Sequence, residues 1–441
     1  MSSLTLDSQH ISVDESLHLL ARIWNDRRLG LTVAVGATAV LALATGWLTP
    51  WGPLTPLHVM VTTVGMVTIG AMVGLALGNR WSLLLAPVAF VSGRVLHGLM
   101  VLPALILGAG FGVWLAHRLG HSTAPAPGIP AIILIALTTV GVVTLTVALV
   151  MPGRTAPILG PDGQPLPRSI AELATVEIGG VEQVIMLRGR DVDKPVLLHL
   201  SGGPGGTDLG AMRSDTGLEV TDYLRDRFGQ DRIYLTANSW GTIPSVFAVQ
   251  QTPELFHAYI GTGQMVNNRA TDQMFYEDAL AWADTGNDGL AQQIRDAGPP
   301  PYDNLLNYEY TVSYEHQWNA YPGVDDLWEM PFNTFVPENN LLDRINALRG
   351  MLDVNYFVYP QLQDYDFRRD APELDVPVYL VLGQYEARAR AVPANEWFDL
   401  LDAPSKQLLV FEESGHRPSF EQPADFADLM RDVVAASSQG E

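Results

Sequence analysis

Hydrophobic and polar positions divide the chain near residue 151. From Leu29 to Val150 there is no Asp or Glu. Apolar blocks at about 31–49, 57–78, 95–116 and 129–151 are each long enough to cross a bilayer as a helix. Ser82–Val91 is too short for that and is cut off by Ser92-Gly93-Arg94. An arginine at mid-bilayer is costly, so this piece is expected to lie at the interface or to re-enter. Ahead of the blocks, Ser12-Val-Asp-Glu15 reads as a capping box. It opens an amphipathic helix with Leu17, Leu20, Ile23 and Trp24 on one face.

Beyond a Pro- and Gly-rich linker, 152–170, the pattern changes to short apolar runs between helical stretches. Alternation across Gly179-Gly180 predicts a hairpin of Thr175–Ile178 and Glu182–Leu187. Pro195–Leu200, Ile233–Thr236, Ala258–Gly261, Pro377–Gly383 and Gln407–Phe411 read as buried strands, with helices at Thr221–Phe228 and Thr242–Gln251. Strands alternating with helices predict a mostly parallel sheet with helices on both faces. From about 264 to 372 the chain is helical and aromatic, as expected of an inserted cap. The expected organisation is an amphipathic segment (1–30), an all-α transmembrane bundle of about four spans (31–151), a first core segment (171–263), the helical cap (264–372) and a second core segment (373–435).

Charge sharpens this division. Net charge is −22 over 441 residues, yet residues 1–151 hold six arginines against four acids. The acidic remainder lacks the basic footprint that nucleic acid requires. Without cysteine there are no disulfides, thiolate metal sites or thiol nucleophiles. Arg22, Arg27 and Arg28 flank the first span, and Arg154 follows the fourth. Four spans with the N-terminus inside place the soluble half in the cytoplasm, although Arg118 counts the other way. The membrane half has only Arg94 and His97 as notable polar groups, so its expected role is to anchor a multi-pass protein in the cell membrane.

Candidate chemistry gathers at strand ends, where open α/β sheets build sites. Ala237-Asn238-Ser239-Trp240-Gly241 joins a strand to a helix. That context lifts a serine hydroxyl clear of the sheet and aims the next N–H at a developing oxyanion. Glu386 and His416 each follow a later strand, in the order Ser, acid, His. Ser239 would be the nucleophile, His416 its base, and Glu386 the group that orients the imidazole. The N–H groups of Gly203, in the glycine-rich turn 201–206, and of Trp240 would bind the oxyanion. Asp353, Asp364 and Asp366 are less well placed for the acid.

With these residues in hand, roughly 170–435 resembles the prolyl iminopeptidase-like α/β-hydrolases. The matching pieces are Ser201-Gly-Gly-Pro-Gly205, Asn238-Ser-Trp-Gly241, Pro253-Glu-Leu-Phe and Ser414-Gly-His416 with Glu421-Gln-Pro423. The resemblance implies the same roles for Ser239, Glu386, His416, Gly203 and Trp240. It implies hydrolysis of peptides or amides with a free N-terminus, with no metal and no cofactor. A cap acid would bind the substrate ammonium, with Glu277, Glu309, Glu315 and Glu329 as candidates. Ser201, Ala237 and Asn238 depart from the family's His, Gly and His, and Glu386 stands where Asp is common. One expected strand is missing, because 206–238 holds a single helix where the family fits a further strand and helix. That strand would lie between the 182–187 and 195–200 strands, which must then pair directly or leave a defect. The expected function is a membrane-anchored serine hydrolase cleaving short peptides through an acyl-enzyme. The alternatives are an esterase or lipase on the same triad, or a non-catalytic hydrolase-like binding protein.

Overall fold

The computed structural model describes residues 54–77, 95–118, 129–178, 180–203, 217–321 and 336–438. The chain divides into two units, Met1–Met151 and Pro152–Glu441. The expected amphipathic helix, the 31–49 span and the 82–92 piece lie outside the described residues.

The first unit contributes three helices, α1 (Pro56–Leu77), α2 (Val95–Arg118) and α3 (Ile129–Val150). Helices α1 and α2 approach backbone to backbone. A Cβ added at Gly108 would lie 2.1 Å from the Val67 carbonyl oxygen, and one at Gly112 would lie 2.2 Å from that of Ala71. Gly108-x-x-x-Gly112 is thus the small-residue spacing that lets apolar helices touch without a hydrophobic driving force. Outer faces carry large exposed apolar residues, among them Leu57, Val61, Val64, Leu137 and Val140. Among the described residues one helix, Pro56–Leu75, is long and apolar enough to cross a membrane; Ile106–Leu115 and Ala136–Val150 are shorter apolar stretches.

The second unit opens with a hairpin of β1 (Ile170–Ile178) and β2 (Val181–Gly189). It is built on five parallel strands, β3 (Leu197–Leu200), β4 (Ile233–Asn238), β5 (Phe256–Thr262), β6 (Val378–Gly383) and β7 (Lys406–Phe411). Their order across the sheet is their order along the chain. Every residue of β4 is buried, as its near-continuous apolar run requires of a central strand. The two-residue period sorts side chains between the faces. Ile233, Leu235 and Ala237 join the larger core with Val378, Leu380, Leu382 and Trp397, while Tyr234, Ile260 and Val381 join a smaller core with Leu429 and Val433. Helices α4 (Gly217–Phe228), α5 (Thr242–Gln251) and α6 (Asn268–Ala283) follow β3, β4 and β5; α7 (Asp288–Ala297) and α8 (Leu341–Phe357) continue the insertion. Helix α9 (Arg388–Leu400) follows β6, and α10 (Pro423–Ser437) closes the smaller core.

The hairpin stands apart from the parallel sheet among the described residues. Strands β1 and β2 form their own antiparallel sheet. Among the described residues β2 does not pair with β3, so β3 ends the parallel sheet and leaves Leu197 41% exposed. Ile178, Ile185 and Leu187 still reach the larger core, so apolar burial holds the hairpin where ladder bonds do not. The linker is packed rather than free: Arg154 N–H donates to the Pro337 carbonyl at 3.0 Å, and Arg188 donates to Ala156 O at 2.7 Å.

The helical insertion between β5 and β6 holds a polar cluster. Asp272 on α6 is buried and accepts from Tyr359 Oη at 2.6 Å and Gln363 Nε2 at 3.0 Å. Burial pushes its carboxyl up to about 6, against the opposing effect of those hydrogen bonds and one from Tyr308. The folded state therefore holds this proton more tightly than the unfolded chain. The stability this contributes is full below about pH 4 and is lost as pH rises through about 6, a change of about 3 kcal/mol. Asp272→Asn should remove that component. Urea unfolding of full-length protein in detergent between pH 4 and 7 should give a shallower pH slope for the variant; parallel slopes would contradict the assignment.

Candidate active site

Strand β4 ends at Asn238 with extended backbone, and Ser239 turns to φ 52°. A side chain rarely adopts that left-handed conformation, which costs on the order of 1–3 kcal/mol. The surrounding structure imposes it. Ser239 opens a tight turn, Ser239–Gly241, that runs straight into α5. Thr242 Oγ1 donates to Ser239 O at 2.5 Å and accepts from Met265 N at 3.0 Å. Gly241 has no alternative, since a Cβ there would sit 2.4 Å from Leu200 O and 2.6 Å from Ser201 O. Asn238, the departure from the family's histidine, is buried and accepts from Thr262 Oγ1 at 2.9 Å, tying the ends of β4 and β5 together.

The glycine-rich turn after β3 passes close to this serine. A Cβ built on Gly202 would lie 3.4 Å from Ser239 Cβ. Gly203 follows it, exposed, while residues 204–216 lie outside the described residues. Trp240, the middle residue of the turn, is buried.

The acid and the histidine meet. Gly383 ends β6 beneath the 414–415 backbone, where a Cβ would lie 2.2 Å from Ser414 O. Glu386 follows with its side chain 1% exposed, and its Oε2 is 2.8 Å from His416 Nδ1. Its Oε1 accepts from Ala387 N at 2.9 Å and Arg390 Nε at 2.7 Å. Burial pushes the Glu386 carboxyl up, but Arg390 and His416 outweigh burial and hold it at about 2. An ionised carboxylate can only accept, so Nδ1 carries the proton and Nε2 is the ring nitrogen with an open lone pair.

The histidine loop is braced from below. Ser414 Oγ and Glu413 N donate to Gln422 Oε1 at 2.8 and 2.9 Å, and Gly415 N donates to Glu421 Oε2 at 2.7 Å. That bracing gives the Glu421-Gln-Pro423 match a physical purpose. Asn238 pairs with Thr262, so Ser239 and Gly263 are the residues that follow these two neighbouring strands. Gly263 (φ 55°) lies against His416, where a Cβ would sit 2.8 Å from ring atoms Cε1 and Nδ1.

Other candidates are engaged elsewhere. Asp364 pairs with Arg269 and Asp366 with Arg368. The side chain of Asp353 lies outside the described residues. Of the cap acids, Glu277 pairs with Arg388 and Glu315 with Arg390, Glu309 accepts from Ser313, and Glu329 lies outside the described residues. Sequence reasoning missed Arg390 and Gly263. Arg390 was within reach, because it stands four residues after Glu386, the spacing of a helical ion pair.

Gly263→Ala tests the packing around the imidazole. A methyl group there would push the ring off Glu386 in a backbone conformation that also disfavours alanine. Hydrolytic kcat/KM should fall about a hundredfold, with the protein still folded by circular dichroism. Wild-type turnover would contradict this geometry.

No family model matches the chain. A Bacillus subtilis (strain 168) protein named "Probable aminopeptidase YbaC" is 26% identical over 318 residues, covering 60% of this chain and 97% of the relative. The alignment is longer than the stretch of this chain it covers, so the relative has residues without counterparts here. Among solved structures, a proline iminopeptidase of Mycobacterium smegmatis is 15% identical, covers 61% of this chain and 100% of its own, and has a TM-score of 0.45. A proline iminopeptidase-related protein of Thermus thermophilus is 18% identical, covers 60% of this chain and 98% of its own, and has a TM-score of 0.42. Superpositions this loose fix neither substrate nor site. Together the parallel sheet and the strand–turn–helix around Ser239 give residues 170–438 the α/β-hydrolase fold.

Proposed function

We propose that the protein is a membrane-anchored serine hydrolase of aminopeptidase type, acting on short peptides with a free N-terminus. The observation that carries this reading is the forced φ of 52° at Ser239, which follows β4 just as Gly263, the glycine against His416, follows the neighbouring β5. A serine held in that conformation for no chemical purpose would be a standing cost to the fold. The relative named as a probable aminopeptidase supports the substrate class.

In this reading His416 Nε2 takes the Ser239 proton as Oγ attacks the scissile carbonyl. The imidazolium that forms is stabilised by ionised Glu386 and then protonates the leaving amine. The N–H groups of Gly203 and Trp240 hold the oxyanion, and water hydrolyses the acyl-enzyme by the reverse proton path. Glu277 and Glu315 already face arginines, which leaves Glu309 as the candidate for the substrate ammonium among the described cap acids.

The first unit serves as the anchor. Its exposed apolar faces and the Gly108–Gly112 contact suit helices packed in lipid. Four spans, with the hydrolase domain on the cytoplasmic side, fit the arginine distribution.

Two experiments test these features. Ser239→Ala in the full chain should lower turnover of aminoacyl p-nitroanilides, proline among them, by at least about a thousandfold. Unchanged turnover would end the hydrolase mechanism, and a preference for p-nitrophenyl esters over amides would replace the peptidase by an esterase. Because the chain has no cysteine, S438C supplies a single thiol on an exposed residue. A membrane-impermeant maleimide should label it only after cells are permeabilised; labelling of intact cells would reverse the orientation.

A further inference from the structure

The contacts of Glu386 do not stop at His416. On its other side stands Arg390, whose side chain is only 7% exposed. The Arg390 guanidinium lies over the Phe275 ring, 4.9 Å from its centroid. Its far end meets Glu315, with Nη1 3.1 Å from Oε2 and Nη2 in close contact with Oε1. Glu315 belongs to the cap, in the one-turn helix Glu315–Trp318. Its neighbours grip the same two loops. Asn319 Nδ2 donates to Tyr385 O at 2.9 Å, and Tyr321 stacks on Tyr385 with centroids 5.4 Å apart. Tyr321 Oη also donates at 2.5 Å to Glu421, which braces Gly415 next to the histidine.

We propose that Arg390 is a positioning residue for the acid–base pair, with Glu315 as its anchor in the cap: the guanidinium aims the Glu386 carboxylate at His416 and sets how much negative charge the imidazole meets. This rests on the Ser239–His416–Glu386 reading. The charge count behind His416 is Glu386 (−), Arg390 (+) and Glu315 (−), a net of one negative charge. Neutralising Arg390 leaves two negative charges behind the ring and frees one carboxylate oxygen to turn. Neutralising Glu315 leaves the positive charge of Arg390 less compensated. The two changes therefore move the imidazolium's stability in opposite directions, a signature that a purely structural contact does not produce. The other charged or titratable groups near this row are Glu412 and Glu413 on the histidine loop, Glu421, Arg417 over Phe420, and His316 beside Glu315. Arg388 is held by Glu277 and Asp278 on α6. All of these stay constant across the variants.

The test uses the full chain in detergent and the p-nitroanilide or p-nitrophenyl ester it turns over best, with kcat and kcat/KM measured from pH 5 to 9. Arg390→Met should lower kcat about a hundredfold and move the acidic limb of kcat/KM up by about one pH unit. Glu315→Gln should move that limb down by about half a unit, with kcat within about tenfold of wild type. Arg390→Lys keeps the charge but not the fork, so its limb should stay in place while kcat falls. Limbs that do not move, or that move the same way in the Met and Gln variants, overturn the proposal. If Arg390→Met does not fold, Glu315→Gln and Arg390→Lys decide it. The Ser239→Ala control separates the two levels. Turnover surviving in that variant removes the triad reading itself, whereas turnover lost there with unmoved limbs removes only the role of Arg390.

Discussion

A carboxylate taken out of water must be matched by positive charge and hydrogen bonds, or it takes up a proton. Glu386 is the buried carboxylate on which this site depends. Its side chain is almost fully enclosed, and its two oxygens have separate partners. One faces His416, and the other takes the Ala387 N–H and Arg390. Because the charge is matched, it stays ionised. Because it stays ionised, it fixes which nitrogen of His416 carries the proton. In the proposed mechanism that tautomer leaves Nε2 free to act as the base. The sheet supplies the remaining condition. Parallel strands end at one rim, which brings Gly263, Glu386 and His416 together from distant parts of the chain.

The features of this arrangement that were legible in the sequence are those governed by local pattern. The buried parallel strands announced themselves as apolar runs, and the serine turn as small residues between a strand and a helix. The pairing of Glu386 with His416 followed from their positions after successive strands. What sequence could not supply was set by tertiary packing. Gly263 looks like any turn glycine until the imidazole is found against it. Glu315 looked like a free cap acid, because its arginine is far away in the chain. Asn238 read as a departure from a motif, yet it ties two strand ends together. Gly108 and Gly112 blended into an apolar block, since their meaning lies in the helix they touch.

The hairpin keeps apolar contacts with the core without pairing to the parallel sheet among the described residues. The strand pair that carries the glycine-rich turn and the serine, β3 and β4, keeps its register of Leu200 with Ala237. The parallel sheet runs without a break from β3 to β7.

The central claim is that Ser239, and no other serine, is activated by His416. Its most direct test is to treat the folded full-length protein with a fluorophosphonate and map the adduct by peptide mass spectrometry. The account predicts one adduct, on Ser239, absent after heat denaturation and absent in His416→Ala. An adduct on a different residue, or equal labelling of folded and denatured protein, would contradict it.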